Sequence, residues 1–132
     1  MSRKTILTVD DDPVVRMSVN QFLADEYNVL MAEDGHEAMS VTRDHHVDLI
    51  LLDIMMPGFD GFSTLLLLKN EEFTKGIPVI MLTAVGRKEK VITAFRDGAS
   101  GYILKPFDKE SLKIKIEAVL SQNPEQKEQD EE

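Results

Sequence analysis

The sequence predicts an α/β domain, a parallel sheet with helices on both faces. Two observations carry this. Five short runs rich in β-branched and aliphatic residues alternate with five longer stretches of helical spacing, with no repeat and no linker between them. Two of the runs, Leu49-Ile50-Leu51-Leu52 and Val79-Ile80-Met81-Leu82, are apolar at every position, as strands buried on both faces must be.

The first strand is expected at Thr5–Val9. Pro13 suits a first helical turn because its φ is already fixed there, and Val15, Val19, Phe22 and Leu23 then recur at helical intervals on one face. Asp12 is the natural N-cap of that helix. A second strand follows at Tyr27–Met31 and a helix at Gly35–Asp44, then a strand at Val47–Leu52 and a helix at Asp60–Asn70. The fourth unit pairs Pro78–Leu82 with a helix at Arg87–Asp97, which Gly98 terminates. The last pairs Gly101–Leu104 with a helix at Asp108–Ser121, capped by Asp108. One helix is more apolar than a single buried face needs. At about 100° per residue, Leu67 lies about 140° from Phe62, so either a buried contact or a partner surface must cover it.

At 132 residues the chain makes one domain, expected over 1–121. From Gln122 to Glu132 it is almost wholly polar, with five acids and one lysine, and too poor in apolar surface to offset its ordering entropy. That segment is expected to be an acidic disordered tail. It carries −4 of the net charge of −9, a balance that argues against a nonspecific grip on nucleic acid or anionic membrane. No apolar run approaches the roughly 20 residues of a membrane span, and the aspartates from Asp10 cut short any signal-peptide core, so a cytoplasmic protein is expected. With no cysteine, disulfide scaffolds, thiolate metal sites and thiol nucleophiles are excluded.

Ligands of open parallel sheets bind beyond the carboxyl ends of the strands. There the sequence changes character: strand one ends in Asp10-Asp11-Asp12, strand three in Asp53, strand four in Thr83-Ala84 and strand five in Lys105-Pro106. Neighbouring carboxylates repel, by about 4 kcal/mol for two charges ~4 Å apart at an effective dielectric near 20. A hard cation relieves that repulsion, and with oxygen donors only, Mg2+ is the natural candidate.

The set Asp10-Asp11, Asp53 followed by Met56-Pro57-Gly58, Thr83-Ala84 and Lys105-Pro106-Phe107 closely resembles the receiver domain of bacterial two-component response regulators, over about Lys4 to Leu120. The resemblance implies a doubly wound, flavodoxin-like sheet of order 2-1-3-4-5, which brings strand one beside strand three. It implies that Asp53 accepts a phosphoryl group from a histidine of a sensor kinase or phosphotransfer protein. Asp10, Asp11, Asp53 and the Met55 carbonyl would hold Mg2+, Lys105 and Thr83 would stabilise the phosphoryl oxygens, and the Lys105-Pro106 bond would be cis. Thr83 and Tyr102 would form the switch, changing the surface of the fourth helix, fifth strand and fifth helix. Output would then be a protein contact with a downstream target, a phosphorylation-dependent homodimer, or onward transfer to a second histidine. Because nothing after Leu120 can fold into an output domain, a stand-alone module is expected, with a scaffold receiver excised from a larger protein as the alternative. Met55 and Val85 would flank the path of the hydrolytic water, and neither side chain orients water well, which implies a long-lived phosphoryl group.

Each residue also has a plainer reading. Asp12 is a cap, Asp53 alone would be a turn carboxylate, Thr83 alone a strand end, and Lys105 alone a snorkelling side chain. Their convergence on one sheet edge overrides these. His36, His45 and His46 are read as solvent-facing, the last two at the opposite end of the sheet, and the seven methionines as core filler. Arg87, Lys88 and Lys90 are either a solvated helix face or a partner contact. Asp10-x-Asp12 after a strand also resembles haloacid-dehalogenase phosphatases, in which Asp10 would be the nucleophile. That family, however, needs an acidic pair after the lysine, and Asp53 comes before it.

Overall fold

A computed structural model describes residues 3–58 and 60–122. Its elements alternate strictly: β1 (Thr5–Val9), α1 (Pro13–Leu23), β2 (Asn28–Ala32), α2 (Gly35–Asp44), β3 (Leu49–Leu52), α3 (Gly61–Asn70), β4 (Val79–Thr83), α4 (Lys88–Arg96), β5 (Gly101–Leu104) and α5 (Lys109–Ser121). The strands form one parallel sheet in the order β2-β1-β3-β4-β5. The segment expected as a tail lies, from residue 123 onward, outside the described residues. Among those described, no helix is long and apolar enough to cross a membrane.

Two cores flank the sheet. Val19 and Leu23 of α1 and Leu112, Ile116 and Val119 of α5 pack on one face with Ile6, Leu49 and Leu51. On the other face Ala38 and Met39 of α2, Leu65 and Leu68 of α3 and Ala94 of α4 pack on Leu7, Ile50 and Leu52. All four residues of β3 are fully buried, which is why this strand reads as an unbroken apolar run.

Several boundaries differ from expectation by one or two residues. β2 begins at Asn28 because the Tyr27 amide is still spent on α1, donating to the Leu23 carbonyl (2.9 Å). β3 runs from Leu49, and Asp48 just before it is already tied to β1, its amide donating to the Thr5 carbonyl (2.8 Å) and its Oδ2 accepting the Thr5 amide (2.8 Å). The helices expected from Asp60, Arg87 and Asp108 start one residue later, those three serving as N-caps; Asp60 and Asp108 accept the amides of Ser63 and Ser111, whereas Arg87 makes no side-chain cap bond. Gly98, at φ 111°, follows α4 in a conformation that side chains resist.

Leu67 needs no partner surface. It is half-buried against the core beneath α2 and α3, and the solvent-facing leucine of the run is Leu66.

Register delivers the site. Val9 pairs with Leu52, so Asp10 and Asp53 leave the sheet at the same level; Thr83 pairs with Leu104, so Lys105 emerges one step beyond Thr83.

Candidate functional site

Asp10 and Asp53 are almost wholly buried, at 1% and 4% exposure, which two carboxylates tolerate only when compensated. Their amides continue the ladder, Asp10 donating to Ala32 (3.1 Å) and Asp53 to Val9 (3.0 Å), so both side chains project from rigid backbone. The compensation is Lys105, whose Nζ lies 2.8 Å from Asp10 Oδ2 and 3.2 Å from Asp53 Oδ2. The remaining oxygens are held by the backbone: Asp10 Oδ1 accepts the Asp12 amide at 3.0 Å and Asp53 Oδ1 the Met55 amide at 3.3 Å.

One ammonium for two buried carboxylates leaves an imbalance. Burial pushes the Asp10 carboxyl above its ordinary value, the charge of Asp53 adding to this while the hydrogen bonds from Lys105 and Asp12 pull the other way. Burial alone would lower the Lys105 ammonium, but its bond to Asp10 and the charges of both aspartates outweigh it and hold its pKa up. Asp11, exposed at the rim, completes a trio in which one carboxylate oxygen from each aspartate lies within 4.8 Å of the other two. Three hard oxygens, two buried and one open to solvent, fit a divalent cation that keeps part of its water shell. The group can bind such an ion and present a buried carboxylate oxygen beside it.

Thr83 is fully buried at the end of β4. Its Oγ1 accepts the Val85 amide at 3.3 Å, and the Val85 carbonyl in turn accepts the Tyr102 hydroxyl. Both expected switch residues thus hold the same residue, one by its N–H and one by its C=O. Tyr102 is half-buried, and burial, followed by the charge of Asp53, raises its pKa. The Lys105–Pro106 bond is cis. Exposed Met55, with Met56, Val85, Phe62 and Lys90, lines an open apolar depression beside the acceptor loop.

Other candidates fall elsewhere. His46 pairs with Asp48 at 2.9 Å, and His45 and His46 border a depression with Arg3, Tyr27 and Asn28 at the amino end of the sheet. His36 is exposed in the first turn of α2. Of the basic cluster, Arg87 pairs with Glu89 at 3.5 Å and Lys90 lies 5.6 Å over the Phe62 ring. Asp12 caps α1, its Oδ1 accepting the Val14 amide at 2.9 Å. The dehalogenase-like alternative therefore gains no support, since the second aspartate of Asp10-x-Asp12 is committed to the helix.

Two residues of the site went unnoticed in the sequence. Arg16 Nη1 donates to the Asp10 carbonyl at 2.6 Å, clamping the β1–α1 turn. A lone cation in the first turns of a helix opposes the macrodipole, and that was the available signal. Gly61, the first residue of α3, approaches the Asp53 backbone so closely that an added Cβ would stand 2.0 Å from its carbonyl oxygen. A poor helix former directly after an N-cap was the corresponding clue.

The chain matches known proteins over most of its length. The family model for the response regulator receiver domain matches residues 6–117. The chain is 38% identical over 119 residues to the chemotaxis protein CheY of Halobacterium salinarum, covering 89% of this chain and 98% of that one. It is 40% identical over 117 residues to the DNA-binding dual master transcriptional regulator RpaA of Synechocystis, covering 87% of this chain and 48% of that one. The chain spans about half the length of the transcriptional regulators it matches. Among solved structures it is similar to CheY4 of Vibrio cholerae, with TM-score 0.85 and 32% identity over 89% of this chain and 99% of that one. A putative response regulator from Chloroflexus aurantiacus gives TM-score 0.86 and 31% identity, covering 92% and 100%.

Proposed function

The chain belongs to the response regulator receiver family, whose members are phosphorylation-activated signalling switches, and on that footing we propose that Asp53 is its phosphoryl acceptor. The observation that carries this is the pairing of buried Asp53 with Lys105 inside the three-carboxylate cluster.

An Asp53 oxygen attacks phosphorus, the bond to the donor imidazole breaks, and the histidine leaves as the new acyl phosphate forms. Asp10, Asp11, Asp53 and the Met55 carbonyl would hold Mg2+, which would supply the positive charge that lets an anionic donor approach. Lys105 already bridges Asp10 and Asp53, and its flexible stem allows the ammonium to follow the phosphoryl oxygens. Thr83 accepts from the Val85 amide, so its own hydroxyl proton is available to the phosphoryl group. As Thr83 turns toward it, Val85 is drawn along and the bond to Tyr102 is altered, which changes the surface of α4, β5 and α5. This is a self-phosphorylating, slowly self-dephosphorylating switch. Exposed Met55 and half-buried Val85 offer no polar group to orient a hydrolytic water, which supports a long-lived phosphoryl group.

Receiver domains interact with histidine kinases and downstream targets. For this chain the donor is a sensor kinase or histidine phosphotransfer protein, and the output is a protein contact, a homodimer included. Such a donor suits a cytoplasmic site of action.

Mass spectrometry after incubation with acetyl phosphate tests the assignment. Phosphate should appear on Asp53 with Mg2+ present and vanish in excess chelator or in Asp53→Asn. Undiminished phosphorylation of Asp53→Asn overturns it.

A further inference from the structure

We infer that Gly61 is a positioning residue of the phosphoryl-acceptor loop, an inference that rests on Asp53 being the acceptor. The carboxylate of Asp53 is held by Lys105 and the Met55 amide, but its backbone carbonyl is met by something different, the first residue of α3. An ideal Cβ on Gly61 would lie 2.0 Å from the Asp53 oxygen, 2.8 Å from its carbonyl carbon and 2.6 Å from the Ile54 Cα. All three are backbone atoms, so no side chain can swing aside.

The contact also organises the loop on the carboxyl side of the acceptor. The Ile54 carbonyl accepts two amides, Gly61 at 3.0 Å and Met56 at 3.1 Å. The second bond closes a three-residue turn around Met55 and so fixes the Met55–Met56 peptide, whose carbonyl is the proposed metal ligand. The first spends an orphan amide of the α3 terminus on the same acceptor. On the helix side, Asp60 Oδ1 accepts the Ser63 amide at 2.9 Å, and buried Thr64 donates from Oγ1 to the Asp60 carbonyl at 3.0 Å. A rigid helix start is thereby seated against the acceptor backbone, and only glycine permits the seat.

Any side chain at 61 must push the two apart by about 1 Å to reach the 3.0 Å that real Cβ atoms respect. In a catalytic site a displacement of that size can cost roughly 100-fold in rate. A glycine needed only for packing would instead lower stability and leave the chemistry intact.

The test compares Gly61→Ala with Leu68→Ala, a fully buried residue two turns further along the same helix. Three quantities are read: melting temperature, Mg2+ affinity by NMR titration of the metal-free protein, and the rate of Asp53 phosphorylation by acetyl phosphate at saturating Mg2+. For Gly61→Ala we expect a lowered melting temperature, Mg2+ affinity weakened at least ~10-fold, and phosphorylation slowed by about 100-fold. Leu68→Ala should lose at least as much melting temperature with both other quantities within twofold. Wild-type-like affinity and rate in Gly61→Ala overturn the inference. If that variant does not fold, Thr64→Val takes its place: it loosens the helix start without touching the contact, and affinity weakened several-fold is expected, while unchanged affinity overturns. Failure of wild type to be phosphorylated on Asp53 would overturn the proposed function instead. The amide shifts of Met55 and Met56 in the metal-free variants would still report whether Gly61 seats the loop.

Discussion

At the amino end of the sheet Asp48 has one oxygen on the Thr5 amide at 2.8 Å and the other on His46 at 2.9 Å. At the carboxyl end Asp10 and Asp53 share one ammonium, with a third carboxylate within 4.8 Å. The first arrangement is self-contained: each oxygen has a partner. The second is held together without being neutralised, and it has room for another cation. An aspartate beside a strand is thus structural where its own partners satisfy it, and reactive where several carboxylates share one ammonium.

Replacing Lys105 by methionine should show the contrast at its largest. Removing one partner of a buried ion pair costs about 3–5 kcal/mol, and with the lysine partly solvated we expect about 2–3 kcal/mol lost from the metal-free protein. Mg2+ should restore most of it, because the ion takes over the same carboxylates. Urea unfolding with and without Mg2+ checks this, and an equal loss in both conditions would mean that Lys105 is simply structural.

Asp48→Ala probes the other end. It leaves the Thr5 amide short of a partner, which should cost about 1–2 kcal/mol. Because the residue lies at the amino end of the sheet, away from the aspartate cluster, Mg2+ affinity and Asp53 phosphorylation should be unchanged; a change above threefold in either would erase the distinction between the ends.

Asp10→Asn should act in the opposite sense. One buried negative charge is removed while Oδ1 keeps its acceptor role toward Asp12, and Lys105 remains with Asp53. A gain of up to about 1 kcal/mol without metal, together with weakened Mg2+ affinity, is the expected result of relieved like-charge repulsion. Lower metal-free stability with unchanged metal binding would make Asp10 a structural residue like Asp48.

Much of this was legible in the sequence, because hydrophobic pattern and chemistry coincide there. Leu49–Leu52 announces a strand buried on both faces, and polar residues appear wherever such a strand ends. What escaped was geometry that only the third dimension supplies. Tyr27 looks like a strand residue, but its amide belongs to the turn closing α1. Leu67 looked surplus on a helical wheel, yet α2 lies close enough to α3 for the same core to reach it. Gly61 carries no side chain to suggest a role, and its importance is a distance to a backbone eight residues earlier.

The smallest effect offers the sharpest comparison, because the two tyrosines of the chain, Tyr27 before β2 and Tyr102 in β5, feel different carboxylates. Burial raises the pKa of both above 10.0, but the charges that add to it differ: Glu117 and Glu26 for Tyr27, Asp53 for Tyr102. A raised tyrosine favours the fold in its protonated form, so its contribution is complete below the ordinary pKa and is lost as pH climbs through the folded one. Mg2+ at the aspartate cluster screens Asp53 and removes only the electrostatic part at Tyr102. The titration of Tyr102 should therefore move down on adding Mg2+, staying above the ordinary value because the ring remains half-buried, while Tyr27 stays where it was. Ring resonances followed by NMR through alkaline pH, assigned with Tyr27→Phe and Tyr102→Phe, separate the two. If both tyrosines move together the ion is acting through the whole fold, and if neither moves Tyr102 does not sense the acceptor.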